Sequence, residues 1–349
     1  MTLGTLNVRG KTTSLLGPGQ TSKWPSINNL IREEKISILC IQESHLTPES
    51  MLQIEALFSR RLKVLNSSDP NRPGNSAGVA FILNKEKLNT ENAKLTVIIP
   101  GRAIALSLKW HNDSNINILN IYAPNNPQEH PSFWEKIKAK WSQNNLGRLD
   151  FMAGDFNITE DPLDRAPAKQ DNEQAIEALR DFRNEFNIQD NWRHTHPTSR
   201  LFTFTSNTDS MSRLDRIYTS NEHHESMSDW KSHLCSVPTD HNIVLTRFAP
   251  PGTPHIGRGR WSWPLGVTLD KKLLEKISTI GIELQNNLEN SSNRNRTAER
   301  NPQTLWENFK QKINQEAKAT AKSHLAKINQ KILQLRRDIN TSSNIPEID

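Results

Sequence analysis

Asp155 and Asn157 stand two positions apart where the apolar run 149–153 ends at Gly154. A short apolar run bounded by a turn residue reads as a buried strand. On an extended chain, residues two apart project to the same side. A carboxylate beside an amide at a strand mouth can hold a water molecule and polarise it for attack. The same pair fits an Asx turn that only closes a strand, and taken alone the two readings stand side by side. Polar groups recur at equivalent places. Asn7 follows Leu6, Glu43 follows a run ending at Gln42, Tyr122 closes the run 118–121, and Asp240-His241 precedes the last apolar run. Each has an ordinary alternative as a turn residue, surface acid, interface aromatic or loop pair. One arrangement accounts for all of them: a single pocket at the mouths of two packed sheets.

The elements that would position these groups follow from the apolar pattern. Strands are expected over 3–8, 36–42, 78–83, 95–99, 103–110, 116–122 and 243–248. Two more, 202–204 and 213–218, are joined by the small polar loop 206–212. Helical spacing places Trp24, Ile27, Leu30 and Ile31 on one face of 23–34, and Phe133, Trp134, Ile137 and Trp141 on one face of 131–141. A third helix, 172–186, turns Ala175, Ile176, Leu179, Phe182 and Phe186 inward. Strands outnumber helices and arrive both as hairpins and in β-α-β order. That predicts a sheet-on-sheet core with helices outside.

Length and composition bound the rest. The chain has 349 residues, 34% of them hydrophobic, and a mean hydropathy of −0.70, which allows one proper core plus a solvated remainder. Two cysteines, Cys40 and Cys235, cannot make a disulfide framework, and Cys40 lies inside an apolar run. No N-terminal signal and no membrane span is expected. Residues 1–250 hold 28 Lys/Arg and 28 Asp/Glu, so the net +6 resides wholly in residues 251–349. Such a tail suits diffuse attraction to phosphate, or equally a solvated helical face. Prolines at 250, 251 and 254 mark a boundary, and 290–300 reads as a polar linker. Asn301-Pro302 forms an N-cap and first-turn pair for a long helix. Its stripe is Trp306, Phe309, Ile313, Ala317, Ala321, Leu325, Ile328, Ile332, Leu335 and Ile339.

Six motifs then occur in a familiar order. They are Leu6-Asn7-Val8-Arg9-Gly10, Ile41-Gln42-Glu43-Ser44, Ile121-Tyr122-Ala123-Pro124-Asn125, Gly154-Asp155-Phe156-Asn157, Ser212-Arg213-Leu214-Asp215 and Thr239-Asp240-His241. Together they resemble the endonuclease/exonuclease/phosphatase superfamily, the group of DNase I and the exonuclease III-type apurinic endonucleases. In finer detail, Asn7-Val8-Arg9-Gly10 and Tyr122-Ala123-Pro124-Asn125 look most like the endonuclease of LINE-type (non-LTR) retrotransposons. The spacing from Phe202-Thr203-Phe204 to Arg213-Leu214-Asp215 points the same way. The resemblance implies an α+β fold, a four-layer α/β-β/α sandwich over 1–248. A Pro/Gly-rich linker, 249–260, would lead to a basic, partly disordered helical extension, 261–349, like the segment preceding a reverse transcriptase.

The resemblance also implies roles. Glu43 would hold Mg2+, with Mn2+ as a substitute, helped by Asn7 and with Asp240 as a second ligand. Asp155 would orient or deprotonate the attacking water and Asn157 would fix it. His241 would meet the scissile phosphate or shuttle a proton, its tautomer and pKa set by Asp215. Tyr122 would contact the phosphate. Arg9, Asn125, Phe204, Arg213 and Arg216 would touch DNA, although Arg213 and Arg216 fit ordinary ion pairs equally well. One departure stands out: repair enzymes carry an acid where this chain has Arg9. The expected function is a metal-dependent endonuclease that nicks double-stranded DNA and leaves a 3′-hydroxyl. Element RNA or a reverse transcriptase would be further partners, and nuclear residence follows from the substrate. The alternatives are an apurinic-site repair endonuclease and an inactive element remnant that only binds nucleic acid.

Overall fold

The computed structural model describes residues 1–10, 22–110, 115–250, 261, 263–290, 297 and 301–343. The chain forms two units, Met1–Pro254 and His255–Asp349. The first begins with β1 (Thr2–Asn7), α1 (Trp24–Glu33), β2 (Ile38–Gln42), α2 (Pro48–Leu57), β3 (Leu62–Ser67) and β4 (Val79–Asn84). Next come β5 (Lys94–Ile99), β6 (Ala103–Lys109), β7 (Asn115–Tyr122), α3 (His130–Gln143), β8 (Phe151–Asp155) and β9 (Arg165–Ala166). Then follow α4 (Glu173–Glu185), β10 (Ile188–Gln189), α5 (Asn191–Thr195), β11 (Phe204–Thr205) and β12 (Met211–Ser212). The unit closes with β13 (Asp215–Ser220), β14 (Met227–His233) and β15 (Ile243–Phe248).

Two six-stranded mixed sheets form, in the orders β14-β15-β1-β2-β4-β3 and β10-β13-β8-β7-β6-β5. Alternation along each strand decides what lies between them. Leu3, Ile38, Cys40, Val79, Phe81 and Leu83 of the first sheet meet Ile104, Leu106, Ile118, Phe151, Ala153 and Ile217 of the second in one buried cluster. The intervening residues face outward: Leu39, Ile41, Ala80 and Ile82 pack on Trp24, Ile27, Leu30 and Ile31 of α1. On the far side Leu119, Ile121 and Met152 pack on α3 and α4 through Trp134, Ile137, Leu179 and Phe182. The result is the four-layer α/β-β/α sandwich. A polar tie crosses the middle near the site, where Gln42 Nε2 donates to Asn120 Oδ1 (2.7 Å) and Asn120 Nδ2 donates to the Ala80 carbonyl (2.9 Å).

Several boundaries differ from the sequence expectation. Of the expected strand 202–204 only Phe204 is extended in a ladder, since β11 is two residues long and joins β12 and β9 in a small three-stranded sheet. Among the longer elements of this unit, α2, β3 and β14 fall outside the expected set, as do the short β9, β10, α5 and β12. α2 has a weak apolar stripe with only Ile54 buried, and β14 lies at a sheet edge with half-exposed residues. The loop 11–21, most of the linker 249–260 and the polar stretch 291–296 lie outside the described residues.

The second unit holds α6 (Leu265–Thr268), α7 (Lys271–Glu289) and α8 (Pro302–Ser343). Asn301 caps α8 as its sequence predicts, its Oδ1 accepting from the Thr304 amide (3.0 Å). Val267, Leu273 and Ala317 form a small core with Trp263, Ile277 and Ala321 against it. Much of the α8 stripe stays exposed, including Trp306, Leu325, Ile328, Ile332 and Leu335. Among the described residues no helix is long and apolar enough to cross a membrane.

Gly154 fixes the spacing of β8 from β7. Its φ is +152°, and a Cβ there would lie 2.0 Å from the Ile121 carbonyl oxygen, a backbone atom that cannot rotate away. Gly154→Ala should therefore cost about 3 kcal/mol or more. Urea unfolding measures this, and a loss below about 1 kcal/mol would refute the close-approach argument.

Candidate active site

The site grows from strand register. In the second sheet Asp155 of β8 is paired with Tyr122 of β7 on one side and Asp215 of β13 on the other. All three share the parity of Phe151, Ala153 and Ile217, so they point between the sheets, at the end where the apolar filling stops. In the first sheet Asn7 shares the inward parity of Leu3. Its Nδ2 donates to Asp155 Oδ2 (2.9 Å) and to Glu43 Oε1 (2.9 Å), joining the two sheets through one amide. Its Oδ1 accepts from the Arg9 amide (2.8 Å). Glu43 leaves β2 with φ +49° and Arg9 leaves β1 with φ +47°. These left-handed turns are held by the Gly10 amide donating to the Glu43 carbonyl (3.0 Å). Gly10 itself has φ +46°, and a Cβ there would strike the His45 ring at 2.1 Å.

Asp215 Oδ2 meets His241 Nδ1 at 2.8 Å, both side chains buried. Burial opposes the imidazolium, but the Asp215 carboxylate, with Asp155 and Asp240 beyond it, wins and pushes His241 up to about 9. Asp155 moves up to about 6, because burial and the neighbouring Asp215 outweigh His241 and the amides of Asn7 and Asn157. His241 lies against the Phe204 ring, centroids 4.8 Å apart. Two threonines that sequence reading passed over brace the pair. Thr203 Oγ1 accepts from the Asp215 amide (3.0 Å), and Thr239 Oγ1 donates to the Asn7 carbonyl (2.8 Å). Thr239 could have been found, since it opens the Thr239-Asp240-His241 motif.

Asn157 departs from the expected extended geometry. Its φ is +52°, so the chain turns after Asp155, and its amide donates to Asp155 Oδ1 (3.0 Å). The Asx turn and the site are one structure. Asn157 Nδ2 donates to the Ala123 carbonyl (2.9 Å) and Asn125 Oδ1 (3.1 Å), tying β8 to the loop after β7. Burial and the carboxylates of Glu43 and Asp155 push the Tyr122 phenol up, so it stays a proton donor. The Arg102 guanidinium covers its ring at 4.5 Å.

Two expected DNA contacts are corrected. Arg213 is buried and donates through Nε and Nη2 to both oxygens of Asp164 (2.9 and 2.8 Å) and through Nη2 to Asp190 (2.6 Å). Arg216 is buried on the helix side, donating to the Ile158 carbonyl (2.6 Å) and stacked over Phe156. Strand alternation sends it to the opposite face from Asp215. Neither guanidinium is open to a phosphate. Arg9 is exposed but ion-paired with Asp240. Lys23, absent from the sequence expectation, is half-buried near Glu43 and Asp240.

Asp155, Asp215 and His241 offer ligand atoms within 4.8 Å of one another. A 2.8 Å hydrogen bond fills the space between Asp215 and His241, and an imidazolium does not ligate a cation. Glu43 is the better fit for a divalent ion: a hard, half-buried carboxylate at the rim, with Asn7 on one of its oxygens.

The sequence profile described as the Endonuclease/Exonuclease/phosphatase family matches residues 4–241, the span that contributes all of these side chains. The chain belongs to that family. Membership places it among the phosphodiester-hydrolysing enzymes. Over 225 residues it is 29% identical to the Transposon TX1 uncharacterized 149 kDa protein of Xenopus laevis, covering 63% of this chain and 16% of that relative's length. Among solved structures, the AP endonuclease LMAP from Leishmania major is 17% identical with a TM-score of 0.59, covering 72% of this chain and 88% of that one. The 3′-5′ exonuclease NExo from Neisseria meningitidis is 18% identical with a TM-score of 0.56, covering 71% and 100%. An AP endonuclease from Archaeoglobus fulgidus is 19% identical with a TM-score of 0.53, covering 71% and 99%. These likenesses establish a shared fold.

The Asp215–His241 pair yields a direct test. Because the folded pKa of His241 lies above its ordinary 6.5, the pair contributes stability that is complete below pH 6.5 and lost as pH rises through about 9. In NMR titration the His241 ring should titrate near pH 9. With Asp215→Asn burial dominates and it should titrate below about 6.5. An unchanged titration would remove Asp215 as the cause.

Proposed function

We propose that residues 1–248 form a divalent-metal-dependent endonuclease that nicks double-stranded DNA and leaves a 3′-hydroxyl, the end a reverse transcriptase can extend. The observation that carries this reading is the Asn7 amide, which holds Glu43 and Asp155 together beside the Asp215–His241 pair. The transposon relative favours element insertion over repair, as does Arg9 in place of an acid. A chromosomal substrate would put the protein in the nucleus.

Glu43, oriented by Asn7, would hold Mg2+, or Mn2+ in its place, and the ion supplies charge neutralisation at the phosphate when bound. The protein's own residues do the rest. Asp155 accepts a proton from the attacking water, its raised pKa making it a better base than an ordinary aspartate. The imidazolium of His241 donates to a phosphate oxygen as negative charge builds there. The Tyr122 phenol donates to a second oxygen, while Asn157 keeps the Asp155 carboxylate aimed. The phosphorus–O3′ bond breaks and the departing oxygen takes a proton from solvent. In this reading Asn125, Phe204 and the basic segment 261–349 contact DNA. The loop 206–212, which turns from β11 into β12, is the candidate for groove insertion; it is small and polar, and Ser206 and Ser210 bond to each other across it.

Supercoiled plasmid with Mg2+ is the test. Glu43→Ala and His241→Ala should each lower the nicking rate about 100-fold or more while gel retention of DNA persists. Nicking that survives both substitutions, or EDTA, overturns the mechanism, and retention without nicking by the native chain assigns a binding remnant instead. A duplex with one abasic site cut far faster than plain DNA would indicate repair. The rate should follow a bell with limbs near pH 6 and pH 9, rising as Asp155 loses its proton and falling as His241 does.

A further inference from the structure

Asp240 has two oxygens in different circumstances. One accepts from the Arg9 guanidinium, which reaches it from the turn after β1. The other, Oδ1, is buried with no hydrogen-bond partner among the described residues. A buried carboxylate oxygen left open is costly, and it is the hard ligand a divalent cation takes. Two cations stand around it. The Arg9 amide is tied to Asn7 Oδ1 (2.8 Å), which directs the residue toward Asp240. Lys23 is half-buried at the start of α1, its ammonium donating to the Val8 carbonyl, and the charges of Asp240, Glu43 and Arg9 all act on it.

We propose that Arg9 is a tethered cation that keeps Asp240 from ligating metal, so that the site takes one divalent ion, on Glu43, and carries a latent second position at Asp240. This rests on the metal-dependent reading above. An ion bound to Asp240 would stand against the guanidinium and in the field of the Lys23 ammonium. Like charges repel strongly where water is partly excluded. Arg9 is 56% exposed and could swing away, since an exposed ion pair is weak. Lys23 is held on the Val8 carbonyl and adds to the field at Asp240, with no hydrogen bond to it among the described residues. Closure therefore has a movable part and a fixed part. The movable part is also the one a single substitution can reverse in sign. Aspartate tolerates the left-handed backbone that Arg9 adopts, so Arg9→Asp exchanges the blocking charge for a ligand without disturbing the turn.

Titration calorimetry of the DNA-free full chain with MnCl2 tests this without any turnover. The native chain should bind one Mn2+, and Glu43→Gln should abolish it. Asp240→Asn should leave that ion in place with affinity changed by less than about tenfold, short of what loss of a ligand or its close support costs. Arg9→Asp should bind two ions, and Arg9→Asp combined with Asp240→Asn one. A single ion in Arg9→Asp, with its melting curve intact, overturns the proposal. So does an Asp240→Asn chain that loses its ion, a measurement that decides the matter if Arg9→Asp fails to fold. An ion that survives Glu43→Gln instead defeats the assignment of the metal to Glu43, whatever Arg9 does.

Discussion

The amide of Asn7 is the one group on which the geometry of the site turns. It lies on the first sheet, reaches Asp155 on the second, and touches Glu43 on the way. An amide nitrogen offers two donors at a fixed angle, which is what two carboxylates need if they are to approach without a cation between them. A charged donor would satisfy the acids more strongly but would compete with any metal ion. A hydroxyl would supply one hydrogen where two are required. Asn7 is held in turn by the Arg9 amide on its Oδ1 and by Thr239 on its backbone carbonyl, so its orientation is not left to rotamer freedom.

Charge in the pocket is graded by depth. Asp155 and Asp215 are buried side by side across adjacent strands, an arrangement that two ionised acids tolerate poorly. The structure answers by placing His241 against Asp215 and the Asn7 and Asn157 amides against Asp155. The outcome is an acid and an imidazole both shifted up, each held in the form useful for moving a proton near neutral pH. Nearer solvent, the acids Glu43 and Asp240 are balanced by Lys23 and Arg9. The buried guanidiniums of Arg213 and Arg216 belong to a different system. They join the turn at Asp164, the start of α5 at Asp190 and the segment through Ile158 into the frame that holds β13 beside β8. Removing one partner of such a buried pair leaves an uncompensated charge, which makes these residues structural.

Much of this could be read in the chain beforehand, and the reason is local. Apolar alternation revealed the central strands, and period two then dictates that Asp155, Asp215, Asn7 and Tyr122 share an inward face with Phe151, Ile217, Leu3 and Ile118. The same rule, applied to Arg216, would have turned it away from DNA, because neighbours in a strand cannot both face the pocket. The longer elements that escaped, α2, β3 and β14, have weak apolar stripes or lie on sheet edges, where half-exposed residues carry little periodic signal, and β9, β10, β12 and α5 are too short to show a period.

By itself the sequence determined the sandwich, the central helices, the cap at Asn301 and the set of strand ends from which the polar groups emerge. These depend on backbone periodicity and on interactions within a few residues. Only the tertiary structure decided which acid each long cation would meet: Arg9 on Asp240, Arg213 on Asp164 and Asp190, Lys23 beside Glu43. A guanidinium or ammonium on a flexible stem finds its partner across space, and nothing in the spacing of the chain encodes a distance between residues that approach one another only when two sheets close.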